Sequence, residues 1–232
     1  MTDPDTPTSQ PEAPGAPKPA SGQNPAGTSE LILDVAEGLF AENGIAATSI
    51  RDITGEAGGN LGAINYHFGT KQDLVATVFT RRLEPMSNRQ WALLDEVEKE
   101  AGEGSPRLEA LIEAMIRPPV ERSFEAGKRD TAFMRLVGRC YGEPNPEVER
   151  RIRSHLEKVW TRFAGLLSRA LPGLTPEEMY WRVRFTVGAF HHTLLTAGRE
   201  ANVPPEMQEG LNAETMICRL AAFAAAGMRA GL

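Results

Sequence analysis

Cysteine is nearly missing from this 232-residue chain. The two present, Cys140 and Cys218, have neither a CxxC partner nor metal-ligand spacing, which predicts buried free thiols in a reducing compartment, the cytoplasm. Long apolar runs are missing too. The longest candidate, Leu220 to Met228, is nine residues held between Arg219 and Arg229, against the ~18 that a membrane span requires. The N-terminus has no apolar signal-peptide core. Catalytic signatures are equally scarce: there is no Gly-rich phosphate loop, no Gly-x-Ser-x-Gly elbow and no HExxH. The one histidine pair, His191-His192, would project its rings about 100° apart on a helix, with no third ligand. Cys140, flanked by Arg139 and Tyr141, has no resolving cysteine nearby. These absences speak against an enzyme, a cofactor or a metal site. Positive charge is also in deficit, with 25 Lys and Arg against 31 Asp and Glu, a net of -6.

What is present is helix. Hydrophobic content of 41% and charge of 24% are those of an ordinary globular chain, long enough for one or two domains. No alternating strand pattern competes, so the expected fold is all-α. Residues 1 to 28 hold seven of the 17 prolines and almost no large apolar side chain, and read as a disordered tail. A first helix follows from Ser29 to Asn43, with Leu31, Val35 and Leu39 beside Ile32, Ala36 and Phe40 and a stop at Gly44.

Residues 48 to 74 carry the most information. Ile50, Ile53 and Ala57 give a short helix its apolar stripe, and Thr48 or Ser49 can cap it. Gly58 and Gly59 suit a sharp reversal, Asn60 can cap a second short helix over Leu61 to Tyr66, and Gly69 ends it. Thr70 and Asp73 form a capping-box start for a long helix from Lys71, which Pro85 should kink or break. Two short helices at a glycine turn, braced by a helix before and one after, make a helix-turn-helix. The charge balance around it argues the other way: residues 29 to 90 hold five basic side chains against eight acids. Placement answers this, because between Ala57 and Gln72 the one full charge is Lys71. Helix N-termini can hold phosphates through backbone N-H groups alone.

The run Ile53-Thr54-x-x-Ala57-Gly58-x-Asn60-x-Gly62-Ala63-Ile64-x-Tyr66-His67-Phe68-x-x-Lys71-x-x-Leu74 resembles the DNA-binding signature of the TetR family of transcriptional regulators. Thr54 departs from the family's usual Ala and Gly59 from its usual Val, which predicts looser packing between the first two helices of the motif. The resemblance implies a three-helix DNA-binding domain over 29 to 75 and a larger effector-binding and dimerisation bundle over 76 to 232. It places DNA contacts at Thr48, Ser49, Asn60, Leu61, Gly62, Ala63, Asn65, Tyr66, His67 and Lys71, reading an operator in double-stranded DNA.

Three later helix starts stand out, Ser105-Pro106, Asn145-Pro146 and Thr175-Pro176, each a capping residue before a proline. They open helices expected to break at Pro118-Pro119, to end at Leu171-Pro172-Gly173, and to end at Gly198. A last helix spans about Asn212 to Met228. A proline-kinked helix cannot pack flush, so the middle helices should enclose a pocket for a small apolar or amphipathic effector. Its candidate lining is Met115, Phe124, Phe133, Met134, Trp160, Phe163 and Trp181, with Arg117, Arg135 and Arg139 available to a charged head group. The Pro-Pro and the Asn65-Tyr66-His67-Phe68 wording resemble the fatty-acid-responsive branch named after PsrA, which implies a fatty acid or acyl derivative. The last two helices carry Val183, Val187, Phe190, Leu194, Met216, Leu220, Phe223 and Ala224, and the family resemblance makes them a homodimer interface. The expected function is a ligand-released transcriptional repressor; the alternative is an all-α ligand-binding protein whose helix-turn-helix does not read DNA.

Overall fold

The computed structural model of the chain describes residues 25–58, 61–124, 133, 136–137, 145–196, 204 and 211–231. Among these there are eight helices and no strand: α1 Pro25–Asn43, α2 Ile50–Glu56, α3 Leu61–Phe68, α4 Lys71–Ala101, α5 Leu108–Phe124, α6 Pro146–Ala170, α7 Pro176–Thr196 and α8 Ala213–Arg229. The expected all-α architecture is therefore what forms. The first helix starts at Pro25 rather than Ser29, so Pro25 to Thr28 are helical instead of tail; the rest of the expected tail lies outside the described residues.

Local chemistry explains the short elements. Ser49 caps α2 by a complete capping box: its hydroxyl accepts the Asp52 N-H at 3.2 Å, and Asp52 accepts the Ser49 N-H at 2.7 Å. Thr70 and Asp73 repeat the device at α4. Between α2 and α3 the chain reverses through Gly58, and between α3 and α4 through Gly69, with φ of +61° and +75°. Side chains with a Cβ rarely adopt that conformation. Thr54 is buried, but its hydroxyl donates to the Arg51 carbonyl at 2.9 Å, so the departure from alanine leaves no orphaned polar atom.

Two apolar cores share two helices, α4 and α6. The first collects Ile32, Ala36 and Phe40 of α1, Ile53 of α2, Ile64 of α3 and Leu74, Val75, Val78 and Phe79 of α4, and takes in Phe133, Leu136 and Val148 from later in the chain. Further along, Leu94 of the same α4 belongs to the second core, built from α5, α6, α7 and α8. Ion pairs reinforce the joints. Glu37 of α1, 3% exposed, takes both arms of the Arg82 guanidinium at 2.7 and 2.9 Å and Arg81 at 2.8 Å. Arg151 of α6 pairs with Asp73 at the start of α4, and Arg162 with Asp95 and Glu98 near its end.

The prolines behave differently from expectation. α4 runs unbroken through Pro85, which sits exposed on its surface, and α5 runs through Pro118-Pro119 as far as Phe124. A proline at 119 removes the donor for the Met115 carbonyl four residues back. Gln90 of α4 fills that vacancy, its side-chain amide donating to the Met115 carbonyl at 2.7 Å. Ser105 is not a cap, since its hydroxyl donates to the Arg169 carbonyl and α5 begins at Leu108. Asn145 and Thr175 do cap as expected, and Asn212 caps α8. Cys218 is exposed, not buried; Cys140 lies outside the described residues. Arg117 is held by Glu113, Glu121 and Glu214, a brace between α5 and α8 rather than a pocket cation.

Two ionic contacts, Asp73 with Arg151 and Glu109 of α5 with Arg229 of α8, set an acid limit. Hydrogen bonds from Thr70 and from Arg151 hold the Asp73 carboxyl down from 3.8 to about 2. Those from Arg229 hold Glu109 down from 4.5 to about 2. A depressed carboxylate adds stability above its unfolded value and loses it as pH falls towards the folded one. Melting temperature should therefore decline between pH 4.5 and 2, and a combined Asp73→Asn, Glu109→Gln variant should show a shallower decline over that window. Parallel curves for the two proteins would contradict this origin.

Candidate nucleic-acid interface and effector cavity

The second helix of the motif is presented outward by one buried anchor. Ile64 is fully buried in the first core, while Tyr66 on the opposite side of α3 is 85% exposed. Gly62, one turn before Tyr66, is exposed as well, and so is His67, whose ring meets Tyr66 edge-on at 5.2 Å. Gly62, Tyr66 and His67 thus form an outward face at the spacing of a helix that enters a groove. The side chains of Leu61, Ala63 and Asn65, and the whole of Asn60 and Gly59, lie outside the described residues.

The flanking candidates divide. Ser49 is exposed, but its hydroxyl is engaged in the α2 cap. Thr48 is only 1% exposed, and its hydroxyl donates to the Gly44 and Leu39 carbonyls, so this side chain braces the fold from within instead of facing DNA. Lys71 donates to the Ala46 carbonyl at 3.3 Å, and partial burial pushes its ammonium below the usual lysine value although Asp52 pulls it up. It keeps two further protons for a phosphate. Arg51, exposed in the first turn of α2, was not among the expected contacts, yet it lies next to the capped N-terminus of that helix. Its signal was available: a lone cation two residues after the cap. Arg81 and Arg82, by contrast, are spent on Glu30, Asp34 and Glu37.

Among the described residues, α4 to α8 line two cavities. The larger, about 140 Å³, lies between Leu83, Met86, Ser87 and Gln90 of α4, Pro119, Arg122 and Ser123 of α5, Leu156 and Trp160 of α6, and Phe190, His191 and Leu194 of α7, with Phe133 and Val137. The smaller, about 60 Å³, is walled by Ile112, Met115 and Ile116 of α5, Trp160 and Phe163 of α6, Val183, Thr186, Val187 and Phe190 of α7 and Met228 of α8, with Gln90 again. Of the expected pocket residues, Met115, Phe133, Trp160 and Phe163 line these spaces. Phe124 packs against the second core instead. Trp181 is on the surface, stacked on Phe185 at 6.1 Å. Met134, Arg135 and Arg139 lie outside the described residues. Burial alone holds the His191 imidazole below its ordinary value, which favours the neutral ring.

The expected dimer residues are redistributed by the same packing. Val183, Val187, Phe190 and Leu194 line the cavities. Met216, Leu220 and Ala224 pack inside the second core, and Phe223 alone of that set stands out, exposed. The outward faces of α7 and α8 carry Tyr180, Trp181, Phe185 and Phe223. Phe133 also ties the two halves together, because it lines the larger cavity and packs edge-on against Phe79 of α4 at 5.7 Å. No helix among the described residues is long and apolar enough to cross a membrane.

Comparison with known proteins matches residues 32–78 to the model "Bacterial regulatory proteins, tetR family" and residues 113–227 to "Tetracyclin repressor-like, C-terminal domain". An HTH-type transcriptional repressor of Mycobacterium tuberculosis is 51% identical over 57 residues, 23% of this chain and 30% of that protein. The chain thus aligns with less than a third of the length of that relative. The regulator CymR of Pseudomonas putida is 28% identical over 159 residues, 67% of this chain and 73% of its own. Among solved structures, a fatty acid degradation regulator, FadR of Bacillus halodurans, superposes with a TM-score of 0.57 at 14% identity, covering 91% of this chain and 100% of that one.

Proposed function

We propose that this chain, a member of the TetR family of transcriptional regulators and not an enzyme, is a homodimeric cytoplasmic repressor released from a palindromic operator by a small amphipathic effector. The observation that carries the reading is the outward face of α3, Gly62, Tyr66 and His67, held by a buried Ile64 and linked through α4 to a cavity. Nothing on that face but Lys71 bears a full charge between Ala57 and Gln72, so recognition rests on base edges and helix N-termini more than on bulk attraction. Release requires the effector to favour a second conformation by a differential affinity of a few kcal/mol.

Two recognition helices must sit about one DNA turn apart, ~34 Å, or a multiple of it, to read paired half-sites. That spacing calls for a second subunit. Tyr180, Trp181, Phe185 and Phe223 supply an exposed apolar patch of the kind soluble monomers seldom leave bare. A Trp181→Ser, Phe185→Glu variant should run as a folded monomer by light scattering and lose operator binding with it. A dimer mass unchanged from the parent would place the interface elsewhere.

A mobility-shift titration on the DNA upstream of the chain's own gene tests the whole reading. The expected result is a salt-sensitive, sequence-selective shift at sub-micromolar dimer. Absence of any selective shift at low micromolar dimer would leave the alternative, a helical ligand-binding protein that uses the motif only for packing.

A further inference from the structure

Gln90, Trp160 and Phe190 stand in the walls of both cavities, so the two spaces are chambers of one site divided by these side chains. The chambers differ in chemistry. Apart from Gln90 and Thr186, the smaller is lined by apolar and aromatic side chains, whereas the larger adds Ser87, Arg122, Ser123 and His191. Ser87 and Ser123 commit their hydroxyl protons to the Leu83 and Val120 carbonyls at 2.9 and 2.7 Å, so the cationic donor in this lining for an anionic head is the guanidinium of Arg122. A molecule that fits both has a polar head and an apolar chain.

Between head and chain stands Gln90. Its amide is tethered to the Met115 carbonyl, the acceptor that Pro119 leaves vacant in α5. Pulling the amide away leaves a buried carbonyl unmade, which is costly unless something replaces the bond. We propose that Gln90 is a gate that selects linear amphiphiles by length. A short one fills the larger chamber with the gate in place, and a long one has to displace Gln90 to run its chain into the smaller chamber. Because Gln90 belongs to α4, the helix that begins beside the recognition helix, the displacement is felt where DNA is read. This deepens the effector-site reading and rests on it.

Calorimetric titration of the full chain without DNA, using sodium butanoate and sodium decanoate, tests the gate. Gln90→Ala removes the obstruction and should tighten decanoate binding on the order of tenfold more than it changes butanoate binding. Pro119→Ala restores a backbone donor for the Met115 carbonyl, frees Gln90 from its tether, and should shift decanoate in the same direction. Equal shifts for both probes would reduce Gln90 to an ordinary wall residue, and failure of the parent protein to bind decanoate would overturn the ligand class. Loss of operator binding would sink the repressor reading without touching this result, since no DNA enters the titration.

Discussion

Replacing Glu37 by alanine should lower the stability of the protein by about 3 kcal/mol. The figure follows from what is left behind. Glu37 is nearly sealed from water, and it neutralises two adjacent guanidinium groups that are themselves mostly buried. Removing one member of a buried ion pair strands the opposite charge, at a cost of about 3–5 kcal/mol. The lower end applies because Arg81 still has Asp34 and Glu30, and both arginines retain some contact with solvent. Denaturant unfolding reads the loss directly. The mechanism has a second signature: replacing Glu37, Arg81 and Arg82 together by apolar residues of similar volume should recover most of the stability, since no charge is then stranded. A triple variant as unstable as the single one would show that the cost lies in packing, not in charge.

Tyr66→Ala should have its large effect elsewhere. Tyr66 is almost fully exposed, and surface substitutions of that kind change stability by no more than about 0.5 kcal/mol. Operator binding is different, because the proposed dimer would lose two copies of the contact at once. With each base contact worth about 1–3 kcal/mol, the loss is about 2–6 kcal/mol, or at least thirtyfold in affinity. The selectivity of operator over random DNA should fall by the same factor. Arg51→Ala provides the contrast: if it contacts phosphate, binding to all sequences weakens uniformly, and the salt slope becomes shallower by about one unit per lost contact. Unchanged operator affinity in Tyr66→Ala would mean that another face of α3 meets the DNA.

How much of this is legible in the sequence depends on range. The capping box of Thr70 with Asp73 closes within three residues, and the residue order alone is enough to find it. The same holds for Gly58 and Gly69, where the backbone angle demands the residue. Proline misleads for the opposite reason. Pro118-Pro119 looks like a break when α5 is taken alone, and the group that satisfies the stranded carbonyl, Gln90, comes from 25 residues earlier on another helix. The faces of α7 show a second limit. Val183, Val187 and Phe190 form one apolar stripe and Trp181 with Phe185 another, so periodicity finds both without saying which one looks inward. Only the position of α5 and α6 decides that. Thr48 and Ser49 are adjacent hydroxyls equally able to cap, and the fold separates them: one is sealed under α1 while the other starts α2.

The continuity of α4 past Pro85 has a mechanical consequence. At about 1.5 Å of rise per residue, the span from Gln90 back to Lys71 is a rigid arm of about 28 Å. A tilt of about 5° at the cavity end would sweep the far end through about 2.5 Å on that arm. Mirrored by the twofold axis of a dimer, the two sweeps would add, and half-sites cut for a fixed separation would be missed by about 5 Å. An arm broken at the proline would dissipate the same tilt in its own joint.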